Sequence, residues 1–167
     1  MIEVLITMVV LAFGLLGAAG LQTKMIADDH ESYQRAQALL LLEDMRDRIS
    51  ANRADAASYV TAGPLGTGDG IADCTGAATI AARDLCEWST ALQGAAEQAG
   101  TSNVGAMVGA RGCVEQIGAA PDTYRVTVVW QGLTNLAVPA LPCGAGLFGA
   151  DGYRRTVSTR VAVADLT

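Results

Sequence analysis

The pattern of apolar and polar residues changes sharply at about residue 22. From Val4 to Leu21 the only polar residue is Thr7, and none is charged. As an α-helix this stretch would be about 27 Å long, close to the thickness of the hydrocarbon core of a bilayer. The pattern therefore predicts a transmembrane half-helix over residues 1–22 and a globular head over residues 23–167.

The helical pattern continues after the apolar stretch. Polarity rises beyond Gln22, yet no helix-breaking residue occurs before about Asn52. An apolar stripe at helical spacing is formed by Leu39, Leu42, Met45 and Ile49. The pair Asp44/Arg48 places an acid four residues before a base, which supports a helix. We therefore predict one continuous helix from near Ile2 to near Ser50.

The remaining residues predict a loop, a second helix and several strands. Residues 53–80 are rich in Gly, Ala, Thr and Asp, which is typical of a loop. A second amphipathic helix, ended by Gly100, is indicated by Leu85, Trp88, Leu92, Ala95, Ala96 and Ala99. The predicted strands are Ala106–Val108, Cys113–Ile117, Tyr124–Gln131 and Thr156–Ala164. This order predicts an α+β fold with an antiparallel sheet against the long helix.

Composition and charge exclude several functional classes. Hydrophobic residues make up 51% of the chain and charged residues 17%, so the whole chain is not disordered. A net charge of −6 lacks the basic footprint that nucleic acids require, and we expect no nucleic-acid partner. The single histidine, His30, removes most histidine-dependent catalysis and histidine-rich metal sites. We therefore expect no enzymatic activity, no cofactor and no metal.

Motifs for chemistry are few. Residues 144–149 match G-x-G-x-x-G but lack the preceding strand and following helix of a dinucleotide site, so we predict a turn. Asp69 and Asp73 lie in an acidic loop and leave calcium binding as an alternative, although the EF-hand spacing is absent. Trp88 and Trp130 are predicted to fill the core rather than to bind a ligand.

Four cysteines follow the apolar segment. They are Cys74, Cys86, Cys113 and Cys143. No C-x-x-C pair occurs among them, which disfavours zinc binding and thioredoxin-like redox chemistry. An even number beyond a membrane span suggests disulfides in an oxidising compartment. Three connectivities are possible, and pairing of sequential neighbours, Cys74–Cys86 and Cys113–Cys143, is our working hypothesis.

Glu3 is the one ionisable residue at the start of the apolar helix. A charge at the end of an apolar span is costly in lipid and is by default a functional hypothesis. The alternative is a carboxylate at the membrane surface, favoured by the positive end of the helix dipole. An acid at this position also argues against a cleaved signal peptide, which needs a basic start; a plain membrane anchor is a further alternative.

Three glycines interrupt the apolar half of the helix. They are Gly14, Gly17 and Gly20. One hypothesis is close packing between membrane helices. The other is a weak point where the helix can stretch or unwind, because glycine costs about 1 kcal/mol relative to alanine in a helix.

The N-terminal residues resemble those of type IV pilins over three runs, Met1–Thr7, Val9–Gly17 and Ala19–Gln22. More narrowly, the chain resembles the minor pilin family PilV, the type IV pilus modification proteins. Three later runs fit the same family: Asp84–Trp88, Gly112–Val114 and Tyr124–Gly132. The resemblance spans nearly the whole chain and is weak between Asn52 and Ile80.

The resemblance implies a pilin-like fold and a structural function. Residues 1–22 would then be the transmembrane or filament-core half-helix, and residues 23–167 a periplasmic head. The implied function is a minor pilin that takes part in pilus assembly or priming and in motility or adhesion, with Glu3 guiding docking onto another subunit. The implied partners are other minor and major pilins and the inner-membrane assembly machinery.

The resemblance also implies processing of a precursor. Family members are made with a short basic leader that a prepilin peptidase removes before it methylates the new N-terminus, and Met1 falls just inside the usual mature start. The implied location is the inner membrane, with a single span, and then the cell-surface pilus. Two alternatives stay open: a minor pseudopilin of a type II secretion system, and a membrane-anchored periplasmic binding domain.

Overall fold

A computed structural model describes residues 2–70, 73–95, 98–99, 102–103 and 107–164 of the chain. It has an α+β, pilin-like layout, with a long N-terminal apolar helix and a C-terminal four-stranded antiparallel sheet. The chain divides into two compact units, Met1–Tyr33 and Gln34–Thr167. The division therefore falls later than residue 22, where the polarity changes.

The first helix, α1, spans Ile2–Ala51, which confirms the predicted continuous helix. Its buried residues are Ala38, Leu42, Met45 and Ile49. The predicted stripe is therefore wrong at Leu39, which is 43% exposed. The buried set follows steps of four, three and four residues, which keeps it on one face of a helix with 3.6 residues per turn.

The region predicted as a loop over residues 53–80 contains short ordered elements. A 3-10 helix covers Arg53–Tyr59, strand β1 covers Leu65–Gly66, and a second 3-10 helix covers Cys74–Gly76. The prediction missed the first of these because its apolar residues are sparse. Tyr59 is fully buried, and burying this one large side chain draws the segment onto the core.

The second helix, α2, spans Ile80–Leu92 and is shorter than predicted. It begins at Thr79, whose Oγ1 accepts a hydrogen bond of 3.1 Å from the backbone N–H of Ala82. It ends before Gly94, whose φ of +80° is the left-handed conformation that terminates helices.

Residues beyond Gly94 do not extend α2 as predicted. Ala95 lies in a turn, and Ala99 belongs to the two-residue strand β2, Gln98–Ala99, which pairs with β3, Ser102–Asn103. Ala96 and Gly100, the other residues of that prediction, lie outside the described residues.

Three strands complete the main sheet. They are β4 (Arg111–Ala119), β5 (Asp122–Gln131) and β6 (Arg154–Val163), and the strand order is β1-β4-β5-β6 with every pairing antiparallel. They confirm three predicted strands with somewhat different limits. The predicted strand Ala106–Val108 is wrong at Met107 and Val108, which lie outside any strand; Ala106 lies outside the described residues.

The two faces of β5 pack against different layers. The predicted core face is confirmed, since its residues Tyr124, Val126, Val128 and Trp130 are buried in one cluster with the stripe of α1. On the other face, Val129 is buried with Cys143 and Phe148 of the segment between β5 and β6. The centre of the sheet is therefore covered on both sides.

Trp88 joins α1, α2 and β4 and confirms the prediction that it fills the core. It is fully buried, and its Nε1 donates a hydrogen bond of 2.9 Å to the carbonyl oxygen of Leu41. Its ring lies directly on Gly112, where an added Cβ would come within 2.1 Å of a ring carbon. Glycine is therefore required at this point of β4 for steric reasons.

Arg154, at the start of β6, organises the segment between β5 and β6. Its side chain is 2% exposed, and its Nε and Nη2 donate to the two carboxylate oxygens of Asp151 at 2.9 and 2.7 Å. Its remaining hydrogen bonds go to the carbonyl oxygens of Leu141, Cys143 and Pro139. All five N–H donors of the guanidinium are thus used, which is what a buried arginine requires.

We expect the substitution Gly112→Ala to destabilise the head by about 1–3 kcal/mol, because the new methyl group displaces the Trp88 ring from a filled core. The free energy of unfolding is measured by urea denaturation in detergent, with tryptophan fluorescence as the readout.

Gly63→Ala is the matched control, because nothing lies within 4 Å of an added Cβ at that position. It should leave stability within about 0.5 kcal/mol of the wild type. Equal effects of the two substitutions would contradict the role given to the contact between Trp88 and Gly112.

Candidate functional site: an exposed apolar helix with a terminal glutamate

The first part of α1 is exposed along its apolar length. An 18-residue window of this helix has a mean hydropathy of 2.5, and none of that window is buried. It is long and apolar enough to cross a membrane, and it is the one such helix in the described part of the chain. Large side chains such as Leu5, Phe13 and Leu16 are 64–71% exposed. A surface of this kind needs an apolar environment to cover it.

The polar groups of this stretch are satisfied within the helix. The Thr7 Oγ1 donates to the carbonyl oxygen of Val4 at 2.9 Å. Just beyond the stretch, the Thr23 Oγ1 donates to the carbonyl oxygen of Gly20 at the same distance. Backbone groups are paired in the helical ladder, so the segment meets the condition for lying in lipid.

Glu3 lies in the first turn of α1 and is exposed. Among the described residues none forms an ion pair with its carboxylate. The free N–H groups of the helix N-terminus provide a partial positive charge nearby, which favours a carboxylate there. The side chain is therefore open to a cation supplied by another molecule.

The three predicted glycines lie on α1 with free space around them. An added Cβ at Gly14, Gly17 or Gly20 would meet no atom within 4 Å. Successive glycines are three residues apart, so they drift by about 60° per step around one side of the helix. No described residue requires glycine there for steric reasons, and a second helix can approach the backbone closely on that side.

Arg48 fixes α1 to α2 within the head. The structure confirms its predicted pair with Asp44, at 3.0 Å, and adds Asp84 at 2.8 Å and Glu87 at 2.7 Å. Burial alone would lower the pKa of Arg48, but the hydrogen bonds to Glu87, Asp44 and Asp84 outweigh it and raise the pKa above its ordinary value. The cluster is thus an ion network that joins α1 to α2.

Tyr59 extends this network into the core. Its hydroxyl donates a hydrogen bond of 2.5 Å to Asp84 Oδ2 and accepts one of 3.3 Å from Asn52 Nδ2. Burial, together with the bond to Asp84, raises the pKa of Tyr59 to about 12. Sequence reasoning missed this residue because the partners come from three separate segments.

Both disulfides are present with the sequential pairing. Cys74 is bonded to Cys86 with a Cα–Cα distance of 5.6 Å, and Cys113 to Cys143 with 6.0 Å. The first ties the loop after β1 to α2, and the second ties β4 to the segment that Arg154 organises. Each therefore holds a loop that has few apolar residues of its own.

The two carboxylates of the acidic loop accept hydrogen bonds from nearby groups of the head. Asp69 Oδ2 accepts hydrogen bonds from the backbone N–H of Gly66, at 2.8 Å, and from Ser89 Oγ, at 3.0 Å. Asp73 Oδ1 accepts from the backbone and the hydroxyl of Thr75, at 3.0 and 2.7 Å. No group of three potential metal ligands occurs among the described residues.

The glycine motif of residues 144–149 is a turn, as predicted. Gly144, Gly146 and Gly149 all have φ near +70°, and a short 3-10 helix and β6 follow.

An open cleft of about 480 Å³ lies between α2 and residues 60–70 and is lined mainly by apolar groups.

Replacing Tyr59 by Phe should flatten the pH dependence of stability in alkaline solution. An unfolded tyrosine titrates near pH 10, whereas folded Tyr59 holds its proton up to about pH 12. The free energy of unfolding of the wild type should therefore be unaffected by this group below pH 10 and fall by roughly 2–3 kcal/mol as the pH rises to 12.

Urea denaturation at a series of pH values in detergent measures this slope. Tyr124 is unchanged in both proteins, so the difference between them reports Tyr59 alone. If the free energy of unfolding falls equally with pH in the wild type and in the Tyr59→Phe variant, the ionisation of Tyr59 is not coupled to folding.

No protein-family model, curated protein or solved structure matches this chain.

Proposed function

We propose that this chain is a minor subunit of a type IV pilus, of the PilV kind, that acts in pilus assembly or priming and supports pilus-dependent motility or adhesion. The observation that carries the proposal is the exposed stretch of α1, which is apolar except for Thr7, together with the carboxylate of Glu3 in the first turn of the helix. The same helix continues into a folded α+β head. The role is structural and involves no catalysis.

The apolar stretch suits two successive environments. In the inner membrane it would act as a single-pass anchor, since its length and composition match the bilayer. In a filament the same side chains would be covered by like helices of other subunits, so extraction from lipid need not expose them to water. Both steps use one surface and require no change in its chemistry.

Glu3 provides a specific charge interaction, which a uniform apolar surface cannot make. An unpaired carboxylate among packed apolar helices is costly, and a neighbouring positive charge offsets that cost. The N-terminal amine of an adjacent subunit is a cation of suitable size at the equivalent end of its own helix. Pairing of these two groups would set the axial position of one helix against the next.

The glycines and the disulfides support the same proposal. Close packing against another helix, or local stretching, explains why Gly14, Gly17 and Gly20 occur where nothing in the single chain requires them. The two disulfides favour an oxidising compartment, which supports a proposed location of the head in the periplasm before assembly and outside the cell afterwards. The proposed partners are other minor and major pilins, the inner-membrane assembly machinery and a prepilin peptidase.

We expect Glu3→Ala to leave the chain in the membrane and to lower its incorporation into pili at least about tenfold, an effect corresponding to the loss of one charge pair in a low-dielectric setting. The measurement compares immunoblots of sheared surface fibres and of inner-membrane fractions in a strain lacking the native copy.

Asp29→Ala is the matched control, because Asp29 is an exposed carboxylate on α1 beyond the apolar stretch. It should leave incorporation unchanged. Normal incorporation of the Glu3 variant would refute the docking role of this residue.

A deletion strain separates the proposal from its alternatives. Loss of surface pili or of motility supports the pilus subunit, whereas loss of exoprotein secretion with normal piliation supports a pseudopilin of a type II secretion system. If both processes stay intact in the deletion strain, and the parent strain retains all of the chain in its inner membrane, an anchored binding domain is supported.

A further inference from the structure

Strand β6 forms an open edge of the main sheet. All ten of its residues pair with β5 in an unbroken register. No other strand pairs with it within the described ranges of the chain. It contains no proline and no bulge, which are two of the usual devices that prevent an edge from pairing further.

The alternation of antiparallel hydrogen bonds shows which backbone groups face outward. Gly132 donates its N–H to the carbonyl oxygen of Tyr153, directly before the pairing of Gln131 with Arg154. In an antiparallel pair every second residue bonds to the partner strand, so from Arg155 onward the odd-numbered residues bond to β5. The even-numbered residues of β6 therefore point their N–H and C=O groups away from the sheet.

These outward groups have no backbone partner in the described part of the chain. They belong to Thr156, Ser158, Arg160 and Ala162, of which the last three are exposed. Each pair of free groups is one docking point for an added strand, and the row has the spacing of a strand edge.

One row of side chains across the sheet has an excess of positive charge at the β6 edge. Glu115 of β4 stands opposite Arg125 of β5, which stands opposite Arg160 of β6. The Glu115 carboxylate is 3.9 Å from Arg125 Nε, but Arg160 is exposed and faces another arginine. Like charges directly opposite each other are unfavourable, and Arg160, at the end of the row, forms no ion pair with any described residue.

We propose that the edge of β6 binds an extended strand of another protein, which carries an aspartate or glutamate opposite Arg160. The backbone of that strand would bond to the outward groups of β6, and its carboxylate would complete the alternating row Glu115–Arg125–Arg160. The inference does not depend on the pilus proposal, because it rests on the head alone.

A second copy joined through β6 is a poorer occupant. No aspartate or glutamate occurs between Arg154 and Val163, so β6 of another copy offers Arg160 no carboxylate. A pair of β6 strands is therefore disfavoured, and the charge at Arg160 favours a strand of a different sequence with an acid at that one position.

A strand tethered to the full chain in detergent tests the proposal. Two fusions carry, after Thr167 and a flexible Gly-Ser linker, an alternating Thr/Val strand with either Glu or Lys at the position opposite Arg160. The tether supplies a millimolar effective concentration, so an edge of modest affinity becomes occupied. The readout is amide hydrogen exchange of Thr156, Ser158 and Arg160.

We expect the Glu strand to slow exchange at these amides at least about tenfold more than the Lys strand. Arg160→Glu should reverse this preference, and because it places an acid beside Arg125 it should not lower the temperature of thermal unfolding. Ser158→Pro should abolish protection at Thr156 and Arg160, since it removes an outward N–H while sparing the bonds to β5. Ser158→Thr keeps that N–H and should behave as the wild type.

Equal protection by the Glu and Lys strands, or none by either, would overturn the proposal. So would self-association of the unfused chain that Ser158→Pro abolishes in analytical ultracentrifugation, because the occupant would then be a second copy.

Discussion

Burial of one stripe of α1 is the interaction on which the head depends. Ala38, Leu42, Met45 and Ile49 form the layer against which the sheet packs, and they share one cluster with the buried face of β5. Trp88 closes that layer by bonding to the backbone of α1 while its ring covers Gly112. One helix, α1, thus carries both the apolar stretch and the buried stripe of the head.

Two arginines, Arg48 and Arg154, hold together parts of the head that the apolar core does not fix. Arg48 links α1 to Asp84 and Glu87 on α2, where a purely apolar contact would have less directional preference. Arg154 acts in the same way on the other side of the sheet, where it binds three backbone carbonyls and Asp151 in a segment with little core of its own. In both places a guanidinium is suited to the role because its five donors can bind several acceptors at once.

Within the part of the chain that the structure describes, the apolar stretch of α1 and the edge of β6 both lack a covering layer, and they differ in physical character. The apolar stretch of α1 makes nonspecific contacts, so either lipid or other helices can cover it. Glu3, at its start, is the charged group that can form a directed interaction. The edge of β6 offers directed hydrogen bonds with little apolar area, and Arg160 is its one selective charge. Each proposed contact thus combines a general surface with a single charged residue that discriminates among partners.

The sequence by itself determined the helix α1, the apolar stretch, the three long strands and the α+β class, because these depend on periodicity and propensity, which are local. The end of α2 depends on Gly94, and the 3-10 helix at Tyr59 depends on the burial of the tyrosine hydroxyl. The local sequence pattern does not distinguish either residue from an ordinary loop residue. Only the tertiary structure brought Arg48 to Asp84 and Glu87, placed Arg154 among distant carbonyls and selected one disulfide pairing of three. These contacts join residues far apart in the chain, and their existence depends on packing that no single segment encodes.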